Sequence, residues 1–150
     1  MSIRCEIVSQ DRQVYAGDAD MVIVPGVQGV MGILPNHAPL LSNLKFGILR
    51  VRYQGQEEIF TIAGGVIEIQ PDLVTVMADA AENVLEIDVS RADAAKRRAE
   101  EILKQGLPPD SDAYLKIESA LRRSNLRLEA VKRFRGQRNR FPGNSEESQK

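Results

Sequence analysis

The sequence predicts a β + α protein: an N-terminal antiparallel β-sandwich followed by a C-terminal two-helix antiparallel hairpin. Three observations predict it. Through residue 80 the apolar residues recur with a period of two, the signature of half-buried strands. Turn-forming pairs separate these runs: Gln54-Gly55, Gly64-Gly65 and Pro71-Asp72. From Asp88 the period lengthens to that of a helix, and residues 89–105 contain neither Gly nor Pro.

Taken in order, Ile3, Cys5 and Ile7 alternate with Arg4 and Glu6 and form the first strand. Met21-Val22-Ile23-Val24 and Leu73-Val74-Thr75-Val76-Met77 read as more fully buried strands. Leu49, Val51 and Tyr53 alternate with Arg50 and Arg52, and Ile67 and Ile69 with Glu68 and Gln70, which places the polar set in water. Many short strands at this spacing favour a sandwich or flattened barrel over an α/β fold.

Asp88 is placed to cap a helix over Val89 to Gln105, because its carboxylate can accept from free backbone N–H groups. Gly106-Leu-Pro-Pro-Asp-Ser-Asp112 stops that helix and starts another, with Ser111 or Asp112 as cap, expected to run from about Ala113 to about Arg135. Ala92, Ala95, Ala99 and Ile102 line one seam; Tyr114, Ile117, Leu121, Ser124, Leu128 and Val131 line the other. Alanine buries little area, so at ~25 cal/mol per Å² the hairpin is only marginally held and can open. The organisation is thus a sandwich over 1–85, a hairpin over 86–136 and a disordered tail over 137–150, which has no apolar period.

The 150 residues are 43% hydrophobic and 27% charged, which excludes wholesale disorder. Charge is divided unevenly: residues 1–85 carry 5 Lys/Arg against 10 Asp/Glu, residues 86–150 carry 15 against 11, so the two parts face different partners. The N-terminus reaches Glu6 before any apolar run develops, so it is no secretory signal. Met21 to Leu44 lacks charge but is broken by Pro25, Gly26, Gly29, Gly32, Pro35 and Pro39, so it cannot span a membrane as a helix. The chain is expected to be soluble and to meet a membrane only through a partner.

No catalytic constellation can be assembled. One cysteine and one histidine supply neither a zinc site of ordinary composition nor a convincing nucleophile–base pair. Cys5 reads as a core thiol and His37, before Ala38-Pro39, as a turn histidine with a structural or contact role. Gly26, Gly29 and Gly32 do not match a dinucleotide fingerprint and mark a hairpin tip instead. Val27, Val30 and Met31 on that tip either fold inward or form a docking patch. The strongest charge feature is Arg122 to Arg140, with eight Lys/Arg against Glu129 alone. A nucleic-acid-binding module is one reading of it, but Phe134 is the only aromatic within that run, and base-stacking platforms are missing.

Four segments in order make the sequence recognisable: Gly32-Ile-Leu-Pro-Asn-His-Ala-Pro-Leu-Leu41, Gly64-Gly65-Val-Ile-Glu-Ile-Gln-Pro-Asp72, Val74-Thr-Val-Met-Ala-Asp-Ala-Ala81 and Ile87-Asp-Val-Ser-Arg-Ala92. Over about residues 3–135 the chain resembles the epsilon subunits of the bacterial rotary (F-type) ATP synthase. The resemblance implies a non-catalytic subunit on the cytoplasmic face of the cell membrane. Its sandwich would dock on the gamma stalk subunit and the c-ring through a loop that includes Val30, Met31 and His37. Its hairpin would fold against the sandwich or extend toward the alpha and beta catalytic subunits, coupling proton-driven rotation to ATP synthesis and inhibiting hydrolysis. Many members carry an acidic residue where this chain has Val30. No cofactor is required, but some members bind ATP as a regulatory ligand through an Ile/Leu-Asp-x-x-Arg-Ala motif. That motif matches Ile87, Asp88, Arg91 and Ala92, with Glu82, Arg98, Arg123 and Arg127 at the associated positions. Converging guanidiniums would offset phosphate charge there.

Overall fold

Alternation of apolar side chains sets the sheet. The computed structural model describes residues 1–135, and in it Ile3, Cys5 and Ile7 of β1 (Ile3–Val8) all point into the core. There follow β2 (Gln13–Ala19), β3 (Met21–Gly26), β4 (Gly29–Ile33), β5 (Leu40–Tyr53), β6 (Gln56–Ile69), β7 (Leu73–Ala78) and β8 (Ala81–Asn83). The order in the sheet is β2-β1-β7-β6-β5-β3-β4, with β8 added to β6. One pairing departs from the expected antiparallel pattern: β1 and β7 run parallel, Cys5 facing Val74 and Ile7 facing Val76. Alternation fixes which face a side chain occupies and carries no information on strand direction. Without a hairpin joining them, β1 and β7 are free to pair in either sense.

The two long strands, β5 and β6, pair along their whole length in the middle of the sheet order. β5 and β6 meet at a two-residue turn in which Gln54 and Gly55 both have positive φ, 51° and 77°, the conformation that suits the twist of a tight hairpin. β6 pairs with β8 over Phe60–Ile62 and with β7 over Gly65–Ile69, with Gly64 and Gly65 at the changeover. Gly65 has φ 139°, and a Cβ there would stand 2.3 Å from the Met77 carbonyl oxygen, so only glycine lets the strands cross this closely. Between the layers, Tyr15 packs on Phe60 with ring centroids 5.4 Å apart. The core they enclose runs from Ile3 to Ala81 in sequence and is complete without the helices.

A 3-10 turn over Val84–Glu86 leads from the sandwich to α1 (Val89–Lys104). Asp88 caps α1, its Oδ1 accepting from the Arg91 N–H at 3.1 Å, and Ser111 caps α2 (Asp112–Ala130) through Tyr114 N–H at 3.2 Å. The second helix does not remain α-helical to Arg135 as expected: the last turn, Val131–Arg135, is a π-helix. Along the seams only Ala92 and Ala99 of α1 and Ser124 of α2 are buried, and Ser124 returns its hydroxyl to the Ala120 carbonyl. The expected disordered tail, 137–150, lies outside the described residues.

Candidate functional site

The contact between hairpin and sandwich starts from a face that alternation assigns to water. On β5, Leu49 and Val51 point into the core, so Phe46, Ile48 and Arg50 point outward, with Ala63, Thr61 and Ile59 of β6 opposite them. The end of α2 lies over this face. Ala130 and Phe134 bury themselves there with Val84 and Ile87, against Ile48, Ile59 and Val131. Four buried residues at about 1.5–3 kcal/mol for each large one are a small anchor beside the sandwich core.

Arginines supply the rest. The Arg122 guanidinium stacks over Phe46 at 4.3 Å from the ring centroid, and in the opposite direction Arg50 of β5 lies 5.5 Å from the Phe134 ring. Arg127 Nε donates to Glu82 on β8, joining helix to sheet. Arg135 donates to the carbonyl oxygens of Val84 at 2.9 Å and Ile87 at 2.8 Å. Arg50 is itself fixed by Glu57, whose side chain is 4% exposed and also accepts from Arg52 at 2.7 Å. So Arg122, Arg127 and Arg135 of the basic run turn toward their own sandwich, and Phe134 is buried, which removes it as a surface for bases.

The residues singled out for nucleotide occupy two settings. Glu82 and Arg127 are brought together, half-buried; Ile87 in the linker and Ala92 in α1 are buried. Asp88 holds the first turn of α1 through the Arg91 backbone. The side chains of Arg91, Arg98 and Arg123 are exposed and form no ion pair among the described residues. Arg98 borders a shallow groove along α1 with Ser90, Asp93, Ala94, Arg97 and Glu101. Phe46, Arg50, Glu57, Arg122, Phe134 and Arg135 were not singled out from sequence as parts of one contact. The only hint lay in Phe46, Ile48 and Arg50 at alternate positions, an apolar–cationic stripe on a face that would otherwise be solvated.

On the β3–β4 hairpin, Val30 is 72% and Val27 52% exposed, while Met31 packs against the core. Leu34 in the following loop and Leu40 and Leu41 at the start of β5 are exposed as well. His37 is half-buried in that loop, its Nδ1 2.6 Å from the Ala38 carbonyl, and the Asn36 N–H donates to the Pro71 carbonyl. Cys5 is no nucleophile: burial, then Glu6, pushes its thiol up to about 12.

Two family models match in succession. Residues 2–84 match the β-sandwich domain of the ATP synthase delta/epsilon chain, and residues 86–132 match its long α-helix domain. The ATP synthase epsilon chain of Acidithiobacillus ferridurans is 43% identical over 137 residues, covering 91% of this chain and 96% of its own length. That of Halalkalibacterium halodurans is 40% identical over 132 residues, covering 88% and 98%. This chain belongs to the ATP synthase epsilon-chain family.

Structural likeness agrees with this. A chain of the Euglena gracilis mitochondrial ATP synthase, in a structure of OSCP, F1 and c-ring, superposes with a TM-score of 0.69 at 25% identity, covering 87% of this chain and 81% of that one. A chain of the Tetrahymena thermophila mitochondrial enzyme shares the fold at a TM-score of 0.54 and 14% identity. As an epsilon chain the protein is peripheral to the membrane, and among the described residues no helix is long and apolar enough to cross one.

Proposed function

We propose that the chain works in the central stalk of an F-type ATP synthase as a non-catalytic part, coupling proton-driven rotation to synthesis and restraining hydrolysis through its hairpin. The observation that carries this reading is the contrast between two interfaces. The sandwich closes its own core, whereas the hairpin rests on it through four buried residues and a set of arginines. A module of the first kind suits a permanent seat; one of the second kind suits reversible detachment.

In this reading the sandwich sits on the gamma stalk subunit and the c-ring at the cytoplasmic face of the membrane. The apolar tip around Val30, with Met31 as its inward support and His37 shaping the neighbouring loop, meets the rotor by shape and apolar contact, since Val30 brings no charge. When the hairpin leaves the sandwich, Arg122, Arg127 and Arg135 are freed to meet acidic surfaces of the alpha and beta catalytic subunits. ATP acts as a regulatory ligand of the folded hairpin. Its phosphates suit the exposed Arg91, Arg98 and Arg123, while Glu82, Asp88 and Arg127 sit at the joint with Ile87 and Ala92. No cofactor is needed.

Deletion of residues 88–150 tests the regulatory part, since the core is complete by Ala81. The assembled enzyme should then hydrolyse ATP faster while the shortened chain still binds the gamma subunit. An unchanged rate removes the restraint from the reading, and loss of gamma binding by the full chain removes the stalk seat.

A further inference from the structure

We infer that the last turn of the hairpin, Val131–Arg135, is a latch on the hinge: Phe134 is its plug and Arg135 its clamp. The inference deepens the reading that the hairpin leaves the sandwich and rests on that reading for its consequence in the assembled enzyme.

Any detachment must turn the backbone where the sandwich ends and α1 begins, the stretch from Val84 to Asp88. Arg135 is bound to that stretch. One guanidinium nitrogen, Nη2, donates to the carbonyl oxygens of Val84 at 2.9 Å and Ile87 at 2.8 Å, with Leu85 further off at 3.4 Å. A single cation therefore ties carbonyls from both ends of the 3-10 turn, and those groups cannot rotate apart while it stays. The tie spans 48 residues of sequence from Ile87 to Arg135, so it exists only while the hairpin is folded down.

Phe134 sets the clamp in place. It is buried with Ala130 one turn earlier and with Val84 and Ile87 of the hinge, against Ile48 and Ile59 of the sheet. Arg50 lies 5.5 Å and Arg133 5.1 Å from its ring centroid, and Arg50 is braced by the buried Glu57. The turn that carries both residues is π-helical, a widened geometry found mostly as single turns and often at functional positions. Plug and clamp thus act on one hinge: Phe134 covers Val84 and Ile87, and Arg135 holds their carbonyls.

The chain contains no tryptophan, so Phe134→Trp places a single reporter in the plug position of the full-length protein. With Arg135 intact its emission should be short-wavelength and shielded from acrylamide. Adding Arg135→Gln should move it to longer wavelength and raise the quenching constant at least threefold, with Arg135→Lys between them. Equal emission and quenching with and without Arg135 would overturn the latch. Because the larger ring can disturb its seat, hydrogen exchange on the Phe134 protein gives a second reading. Arg135→Gln should speed exchange over residues 84–91 at least tenfold and leave 60–69 unchanged. Equal rates, or equal acceleration of both segments, would overturn it. Release of the latch without a change in hydrolysis by the assembled enzyme would leave the latch standing and reject the regulatory reading instead.

Discussion

Arg127, in the second helix of the hairpin, pairs its Nε with the carboxylate of Glu82 on β8, 45 residues earlier in the chain. The pair closes a bridge that neither element makes alone. Both side chains keep about a third of their surface in solvent, so the attraction is screened and its worth is that of a partly exposed bridge.

A double-mutant cycle of Glu82→Gln and Arg127→Gln should give a coupling of about 1 kcal/mol at low salt, shrinking as salt is added. Chemical denaturation of the four proteins measures it. A coupling indistinguishable from zero at low salt would mean that the bridge holds nothing.

Glu57 should matter more. Its carboxylate is buried and holds Arg50 and Arg52 at once, at 2.7 Å each. Glu57→Ala removes the one carboxylate that these two part-buried guanidiniums share, which costs about 2–3 kcal/mol, below the cost of breaking a fully buried pair because both arginines reach solvent. The denaturation midpoint should fall accordingly, and Glu57→Gln should lie between. Arg50 also loses its brace over Phe134, so the hairpin should exchange faster than the sandwich core.

Alkaline pH should destabilise the protein through two groups in the sandwich. Burial pushes Cys5 from 9.0 up to about 12, and burial followed by Glu58 raises Tyr15 above its ordinary value of 10.0. Both bind their protons more tightly when folded. The stability they give is full below about pH 9 and is lost as pH rises toward 12. For the thiol this amounts to about 4 kcal/mol across that window, on 1.36 kcal/mol per pH unit. Cys5→Ala should therefore flatten the fall in stability between pH 9 and 11, followed by urea melts; a slope unchanged by the substitution would exclude the thiol as its source.

How much of this was legible depended on the range of the interaction. Ile3, Cys5 and Ile7 revealed their strand because alternation is local, and Asp88 and Ser111 revealed their caps because a cap reaches only three residues ahead. The ATP synthase family was legible too, since its motifs are short runs. The parallel match of β1 with β7 was not, because pairing sense is decided by partners some 70 residues apart. Nor was the cover over Phe46, Ile48 and Arg50: alternation says which side of a strand a residue takes but not what lies on that side. Phe134 looked like a lone aromatic in a basic run until the β5 face gave it a seat.

Nucleotide binding offers the sharpest test of the proposed ligand. Arg91 and Arg123 are exposed, on different helices, and form no ion pair among the described residues, so replacing either by alanine should leave the fold intact. If their guanidiniums receive phosphate, each substitution removes a charge-assisted contact worth about 1.5–3 kcal/mol, or roughly tenfold or more in affinity. Calorimetry of the isolated full chain with ATP should then give measurable heat for the parent protein and weaker binding for Arg91→Ala and Arg123→Ala. Arg127→Ala has a second effect, because it also strands Glu82, and should lower both affinity and hairpin stability. No heat at millimolar ATP, or the same isotherm in all the proteins, would remove nucleotide from the joint and leave these arginines as contacts for a protein surface.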